Sequence, residues 1–359
     1  MAQHIFHAEP LAHAIATIVA AGGSDAREAR LVAENLVLAN LVGHDSHGIG
    51  MIPRYVDALL EGGLKVNRHP TVKLDSGTVL ALDGQMGYGQ AVGVEAMGLA
   101  IERAKKNGVC VMALGYAHHL GRIGHWAEQA VAQGCISIHF VNVISRSIVA
   151  PWGGSDARFG TNPFTVGIPL PDEPPFILDM ATSAVAQGKI RVAYNKGEKV
   201  PPGRLIDDKG NPTAEARYGV VEPFGALVTF GEHKGYGLAV ACELLGGALT
   251  GGGTWHSDDK SKRRVWNGML TIVVDPKALG NESLFAQEAR AFLDSLRRSP
   301  AAPGFDKVRV AGEPEREYRA RREREGIPVD PATWEEIVAA AAKLGLDRAT
   351  VEKRVREGG

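Results

Sequence analysis

Apolar residues recur at helical spacing at both ends of the chain and in short, dense runs through its middle. The first end predicts helices over residues 8–21 and 24–42, with Leu31, Val32, Leu36, Val37 and Leu41 forming one stripe of the second. Ser24 stands where its N-cap is expected, with Arg27 where a capping box would carry an acid. The polar stretch 43–48 interrupts, and 52–63 predicts a short helix. Residues 72–84 read as two strands about the turn Ser76-Gly77. A helix at about 90–106, a strand at 108–115, a helix at 121–133 and a strand at 135–143 follow.

Residues 150–163 have the composition of a loop, then FTVGIP and FILDM read as strands. Residues 183–197 predict a helix, 195–224 a long loop, 226–230 a short strand and 233–251 a helix. A solvated loop at 256–264, a strand at 268–276 and a helix at 283–298 come next. From 313 onward Glu and Arg alternate before the pattern turns amphipathic, which predicts surface helices with local ion pairs. Helices come first and last and strands between, without regular βαβ alternation. The expected fold is α+β, not a doubly wound sheet.

Composition narrows the class. Lys plus Arg is 40 and Asp plus Glu is 41 among 359 residues, for a net charge of −1. Such a balance lacks the basic face a nucleic-acid binder needs. No apolar run reaches the ~18–20 residues of a membrane span, and the first ten residues have neither a basic start nor an apolar core of a signal peptide. The three cysteines, Cys110, Cys135 and Cys242, form no CxxC pair. They suit a reducing compartment, so a cytoplasmic protein with core thiols is expected. Glycine, 44 residues, is in surplus.

Four constellations carry candidate chemistry. His44-Asp45-Ser46-His47 lies between helices and offers an acid/base imidazole with Ser46 or Asp45 to orient it; taken alone it is equally a polar helix cap. A metal pair His44/His47 lacks a third ligand nearby, so no metal is expected. His118-His119-Leu120-Gly121-Arg122 marks a strand-to-helix turn. Residues 150–163 supply glycines with Ser155, Thr161 and Asn162. Gly231-Glu232-His233-Lys234-Gly235 opens a helix whose N-terminus, with Lys234, suits a phosphate. Neither Gly235-x-Gly237 nor Gly87-x-Gly89 completes a Rossmann fingerprint.

In order along the chain, HDSHGIGMIPRY (44–55), residues 150–163, LDMATSAVAQGKIR (178–191), EHKGYGL (232–238) and GEPEREYRARREREGIP (312–328) resemble the non-Rossmann malate/L-lactate dehydrogenase family. The resemblance covers about residues 45–330. It implies a largely antiparallel cofactor-binding sheet domain, set at 76–284, and a helical domain from 1–75 with 285–359. It also implies a homodimer that moves hydride between NAD or NADP and a small 2-oxo or 2-hydroxy acid.

Residue by residue, the resemblance gives His47, with Ser46 beside it, as acid/base, His119 as a second proton-handling group and Asp179 as their aid. Cofactor contacts fall on Ser145, on Ile177, Leu178, Asp179, Met180, Ala181, Thr182 and Ser183, on His233, Lys234 and Gly235, and on Gly312, Glu313 and Pro314. Thr161 falls to the substrate. Many members carry Arg where this chain has Met51, so Arg122 and then Arg54 are the expected carboxylate anchors. Met51 in the pocket would favour a larger or aromatic 2-oxo acid. Relatives that reduce cyclic or N-alkyl imino acids make C=N reduction the alternative activity. A catalytically silent binding protein is disfavoured by the presence of His47, His119, Asp179 and Lys234.

Overall fold

The computed structural model describes residues 3–256 and 265–356. Both ends of the chain build one core. Helices Ala8–Ala21, Ala26–Leu41 and Ile52–Leu60 pack with Pro331–Lys343 and Arg348–Arg356 around Leu11, Ile15, Leu36, Tyr55 and Ile337. A strand pair that the sequence did not signal, His4–Phe6 with Ile327–Val329, ties the two ends directly. The N-cap of the second helix is Asp25, not Ser24. Asp25 Oδ1 accepts the Glu28 N–H at 2.7 Å, the spacing of a capping box one residue later than expected. Ser24 Oγ instead donates to the Glu28 carboxylate at 2.6 Å.

The middle of the chain forms a seven-stranded sheet in the spatial order Thr71–Asp75, Val79–Asp83, Val109–His118, Trp266–Val274, Ile136–Ile144, Phe164–Leu170, Glu173–Met180. Val79–Asp83 and Val109–His118 run parallel through the crossover helix Gly89–Asn107. The remaining neighbours are antiparallel. The result is a mixed sheet with helices. Helices Gly89–Asn107 and Gly124–Ala132 cover one face around Met97, Met112, Leu114 and Trp126. Cys110 and Cys135 are buried in this core, and Cys242 is buried as well.

Two further expectations are corrected. Residues 195–224 are not an unbroken loop: Leu205–Ile206 and Pro212–Thr213 pair as short strands, and Leu205 anchors a small core of its own. The helix from His233 is regular only to Cys242 and widens into a π-turn over Glu243–Ala248. A Cβ on Gly246 would stand 2.7 Å from backbone atoms of Phe140 and Asn142, so the turn lies directly on the sheet. The loop expected at 256–264 lies, from 257, outside the described residues. Among the described residues, no helix is long and apolar enough to cross a membrane.

Candidate active site

His47 ends a single turn, Asp45–His47, between two helices of the terminal core. The turn is pinned from outside. Arg322, on helix Glu313–Glu325, donates Nη1 to Asp45 Oδ1 at 2.7 Å and Nη2 to Oδ2 at 3.0 Å. Arg322 Nη1 also reaches the Asn40 carbonyl, and Asn40 Nδ2 donates to Asp45 Oδ1 at 2.6 Å. Asp45 therefore holds the loop and does not orient His47. Ser46 does: its Oγ lies 3.0 Å from His47 Nδ1, leaving Nε2 for a ligand. His44 turns away to Glu315, at 3.2 Å, so the two histidines do not share a ligand position.

His119 follows directly on the strand Val109–His118 and is stacked on His47, with ring centroids 5.6 Å apart and planes 18° from parallel. Glycine makes the placement possible. A Cβ on Gly89 would collide with the carbonyls of His118 and His119, so the crossover helix begins directly beneath them. A Cβ on Gly188 would lie 2.8 Å from that of Ser46, which lets helix Gln187–Lys196 close on the His47 turn. Tyr55 Oη lies 2.8 Å from His119 Nδ1 and accepts from Gln90 Nε2 at 2.8 Å.

Asp179 stands on the edge strand and is held at both oxygens, by the Gly124 N–H at 2.8 Å and by Thr165 Oγ1 at 2.9 Å. Thr271, His139, Thr165 and Asp179 face one another across four neighbouring strands. His139 is paired at both nitrogens, with Thr271 Oγ1 and Ser137 Oγ, each at 2.9 Å. A row of polar residues thus crosses four strands of the sheet and ends on Asp179.

Electrostatics follow from burial. Burial first, then the charges of His44 and Arg122, bring His47 down to about 4, while the Asp179 carboxylate opposes them. His47 is therefore a neutral imidazole at pH 7. Burial, with His47, His118 and Arg54 around it, holds His119 well below the ordinary histidine value. His118 is fully buried with neither ring nitrogen paired, and burial pushes it to about 3.

The two candidate anchors differ. Arg122 is 3% exposed and paired with Glu128, and its Nη1 has no partner. That nitrogen and the Asp179 carboxylate both crowd the space a Gly124 side chain would need. Arg54 is open to solvent yet recessed, and no ion pair to it is found among the described residues. Its surroundings and the nearby Arg191 hold it below the usual arginine value. Arg146, which donates to the Gly219 carbonyl at 3.4 Å, is lowered by its recessed setting and then by Arg54 and Arg191. Arg146 and Arg191 were not among the expected residues. Met51 is partly buried and packs against the terminal helical core.

The expected cofactor stretches come together. Ile177 N–H donates to the Ala311 carbonyl at 3.4 Å, which sets 177–183 beside 312–314. Phe230 N–H donates to the Thr182 carbonyl at 3.1 Å, which sets the same segment beside 233–235. Thr182 N–H and Oγ1 both reach the Thr161 carbonyl, at 2.9 and 3.0 Å. His233 and Lys234 are exposed in the first turn of a helix that has no side-chain cap. Glu313 is occupied by Arg297 at 2.9 Å, and Ser145 Oγ donates to the Arg146 carbonyl at 3.3 Å.

The profile of the malate/L-lactate dehydrogenase family matches residues 6–338. Hydroxycarboxylate dehydrogenase B of Escherichia coli K12 is 46% identical over 352 residues, covering 97% of each chain. An L-lactate dehydrogenase of Cupriavidus necator is 41% identical over 319 residues, 88% of this chain and 90% of that one. A solved E. coli structure described as a malate/lactate dehydrogenase superposes with a TM-score of 0.95 at 44% identity, covering 99% of both chains.

Proposed function

This chain belongs to the malate/L-lactate dehydrogenase family and is an oxidoreductase, and we propose that it interconverts a 2-oxo acid and its 2-hydroxy acid with NAD or NADP. The observation that carries this reading is the stacked pair His47 and His119 beside an Asp179 anchored at both oxygens. When bound, the reduced nicotinamide supplies a hydride to the carbonyl carbon.

The chain's residues handle the proton and the charges. In the oxidative direction neutral His47 accepts the hydroxyl proton at Nε2, with Nδ1 steadied by Ser46. The Asp179 charge favours the imidazolium so formed. In the reductive direction the same nitrogen returns the proton to the carbonyl oxygen. His119 is the second polar group at that oxygen. Arg54, with Arg191 and Arg146 near it, anchors the substrate carboxylate, and Thr161 lines the substrate side. Arg122, more deeply buried and with Nη2 on Glu128, holds charge beside Asp179 and leaves Nη1 for an anionic ligand.

The site suits a dinucleotide. The orphaned Arg122 Nη1 and the uncapped helix at His233 and Lys234 offer donors to an anionic ligand. Residues 177–183 and 312–314 line the same side. We read two units, 1–75 with 285–359 and 76–284, around the two main cores; because the strand Thr71–Asp75 pairs with Val79–Asp83, the first boundary moves to just before residue 71. A homodimer and a cytoplasmic setting complete the proposal; light scattering tests the first.

The direct test mixes the protein with pyruvate, phenylpyruvate, 2-oxoglutarate, piperideine-2-carboxylate or pyruvate plus methylamine, each with NADH and NADPH, and follows cofactor absorbance. Turnover of 2-oxo acids without amine supports the proposal. Turnover of the imines alone overturns it in favour of C=N reduction.

A further inference from the structure

The catalytic reading leaves Tyr55 and Gln90 without a role, although both are buried and both lie in the hydrogen-bond chain that ends on His119. Tyr55 is fully buried on the helix that follows the His47 turn, and Gln90 is in the first turn of the crossover helix. Gln90 Nε2 donates to Tyr55 Oη at 2.8 Å. A phenol oxygen that accepts this bond still has one proton to give. The atom placed to receive it is His119 Nδ1, also at 2.8 Å.

We propose that Gln90 and Tyr55 are positioning residues that fix His119 as the Nε2–H tautomer, so that it presents a permanent hydrogen-bond donor to the substrate oxygen. The proposal rests on the site reading above and deepens it. An imidazole whose Nδ1 accepts from Tyr55 carries its own proton on Nε2. No protein group pairs with that Nε2 among the described residues, so its N–H is available to a ligand. Burial raises the Tyr55 phenol far above its ordinary value and keeps it protonated, while His119 stays neutral. Both conditions are needed for Tyr55 to donate to His119; the direction itself is set by the Gln90 amide, which turns Nε2 and not Oε1 toward the phenol.

The two stacked histidines then divide the work. His47, with Nε2 open, gives and takes the proton. His119 keeps its proton and stabilises the negative charge that develops on oxygen, as a preorganised donor does. No net proton moves along Gln90 and Tyr55 during turnover.

The test reads the tautomer without substrate or cofactor. Long-range 15N–1H spectra of the ring nitrogens, with the His119 signal identified by its loss in His119→Asn, should show one neutral form protonated at Nε2. Gln90→Glu places a carboxylate where the amide donates. Tyr55 must then donate to it and accept from His119, so the His119 proton should move to Nδ1 or a second proton should be gained there. That variant should lose at least tenfold in kcat with the KM for cofactor unchanged. Tyr55→Phe, the milder change, should move the Nδ1 shift to that of a nitrogen with no hydrogen bond.

An Nδ1–H form in the native protein, or an unaltered His119 signal in both variants, would overturn the proposal. Because these signals do not depend on turnover, they decide it even if the substrate assignment fails. If the tautomer is as stated and no 2-oxo acid is reduced, it is the functional reading that falls.

Discussion

Arg322 grips both carboxylate oxygens of Asp45, at 2.7 and 3.0 Å, and so ties helix Glu313–Glu325 to the turn that carries His47. Arg322 is 8% exposed, whereas Asp45 reaches solvent, so the pair is clamped from the buried side. Removing the guanidinium takes a donor from the Asn40 carbonyl and both Arg322 bonds from Asp45, leaving them the Gly43 N–H and Asn40 Nδ2, respectively, a cost of about 1–3 kcal/mol. Arg322→Ala should therefore lower Tm by a few degrees. It should also lower kcat, since a shift of ~1 Å in a catalytic group costs up to ~10²-fold. Thermal scans and steady-state rates check this together; an unchanged kcat in a folded variant would show that the clamp does not position His47.

His47 is the proton-transfer group of the proposed reaction, so His47→Ala should lose the ~10²–10⁴-fold typical of a missing general acid or base. Ser46→Ala should do less, because it removes only the partner of Nδ1. Steady-state rates with the best substrate of the panel decide it. A His47→Ala enzyme retaining more than half of native kcat would remove His47 from the role.

How far the sequence reaches can be judged on these same residues. The helices at both ends, the hairpin at 71–83 and the strands of the sheet are legible because their periodicity is local. His47 and His119 are legible as candidate chemistry and Asp179 only through the family resemblance, but their meeting is not legible, since it depends on three separated elements and on close approaches at Gly89 and Gly188. Arg322 reads in sequence as one more member of an Arg and Glu alternation on a surface helix. Only the tertiary fold turns it inward to Asp45. Thr165 and His139 read as ordinary strand residues, because cross-strand register is not written in either strand alone. Arg122 shows a related limit: its partner Glu128 is close in sequence, but the burial of Arg122 is not visible there.

The acid dependence of the two directions should differ. With His47 near 4, neutral imidazole is the dominant form above that pH in the free enzyme. Oxidation needs that form, so its kcat/KM should be flat from about pH 8 to 5 and fall only as pH approaches ~4. Reduction needs the imidazolium, whose fraction falls tenfold per pH unit above ~5, so its kcat/KM should fall with a slope near −1. Asp179→Asn removes the charge that raises His47 and should move both limbs to lower pH. A reduction profile that stays flat across this range would exclude His47 as the acid.

Stability should also fall in acid, and His118 is one cause. Its folded-state value of about 3 lies below the ~6.5 of an unfolded histidine. A depressed value means that the unfolded chain binds the proton first, so stability is full above ~6.5 and is lost as pH falls toward 3. At pH 5 this one ring accounts for on the order of 1–2 kcal/mol. His118→Phe removes two buried unpaired nitrogens as well as the titration. Denaturant unfolding at pH 8 and pH 5 should show a smaller acid loss in the variant; an equal loss would place the acid sensitivity in other buried histidines such as His139.

Arg54 and Arg122 can be separated as carboxylate anchors by where their loss is felt. Arg54 is solvent-open, lacks an ion pair among the described residues, and lies near Arg191 and Arg146, with Glu222 the acid that acts on Arg146. Arg54→Ala should therefore leave Tm within about 1 °C, as for most surface changes, while raising the KM for the 2-oxo acid at least tenfold. Arg54→Lys should recover little of this if the contact is bidentate, since an ammonium cannot reproduce the two parallel bonds. Arg122→Ala should act in the opposite way. It strips Glu128 of a buried partner and opens space beside Asp179 and Gly124, so Tm should fall and kcat should drop with it. Measured with one substrate and saturating cofactor, the pair of KM and Tm values discriminates the assignments. A large KM effect confined to Arg122→Ala, with Arg54→Ala silent, would return the carboxylate to Arg122.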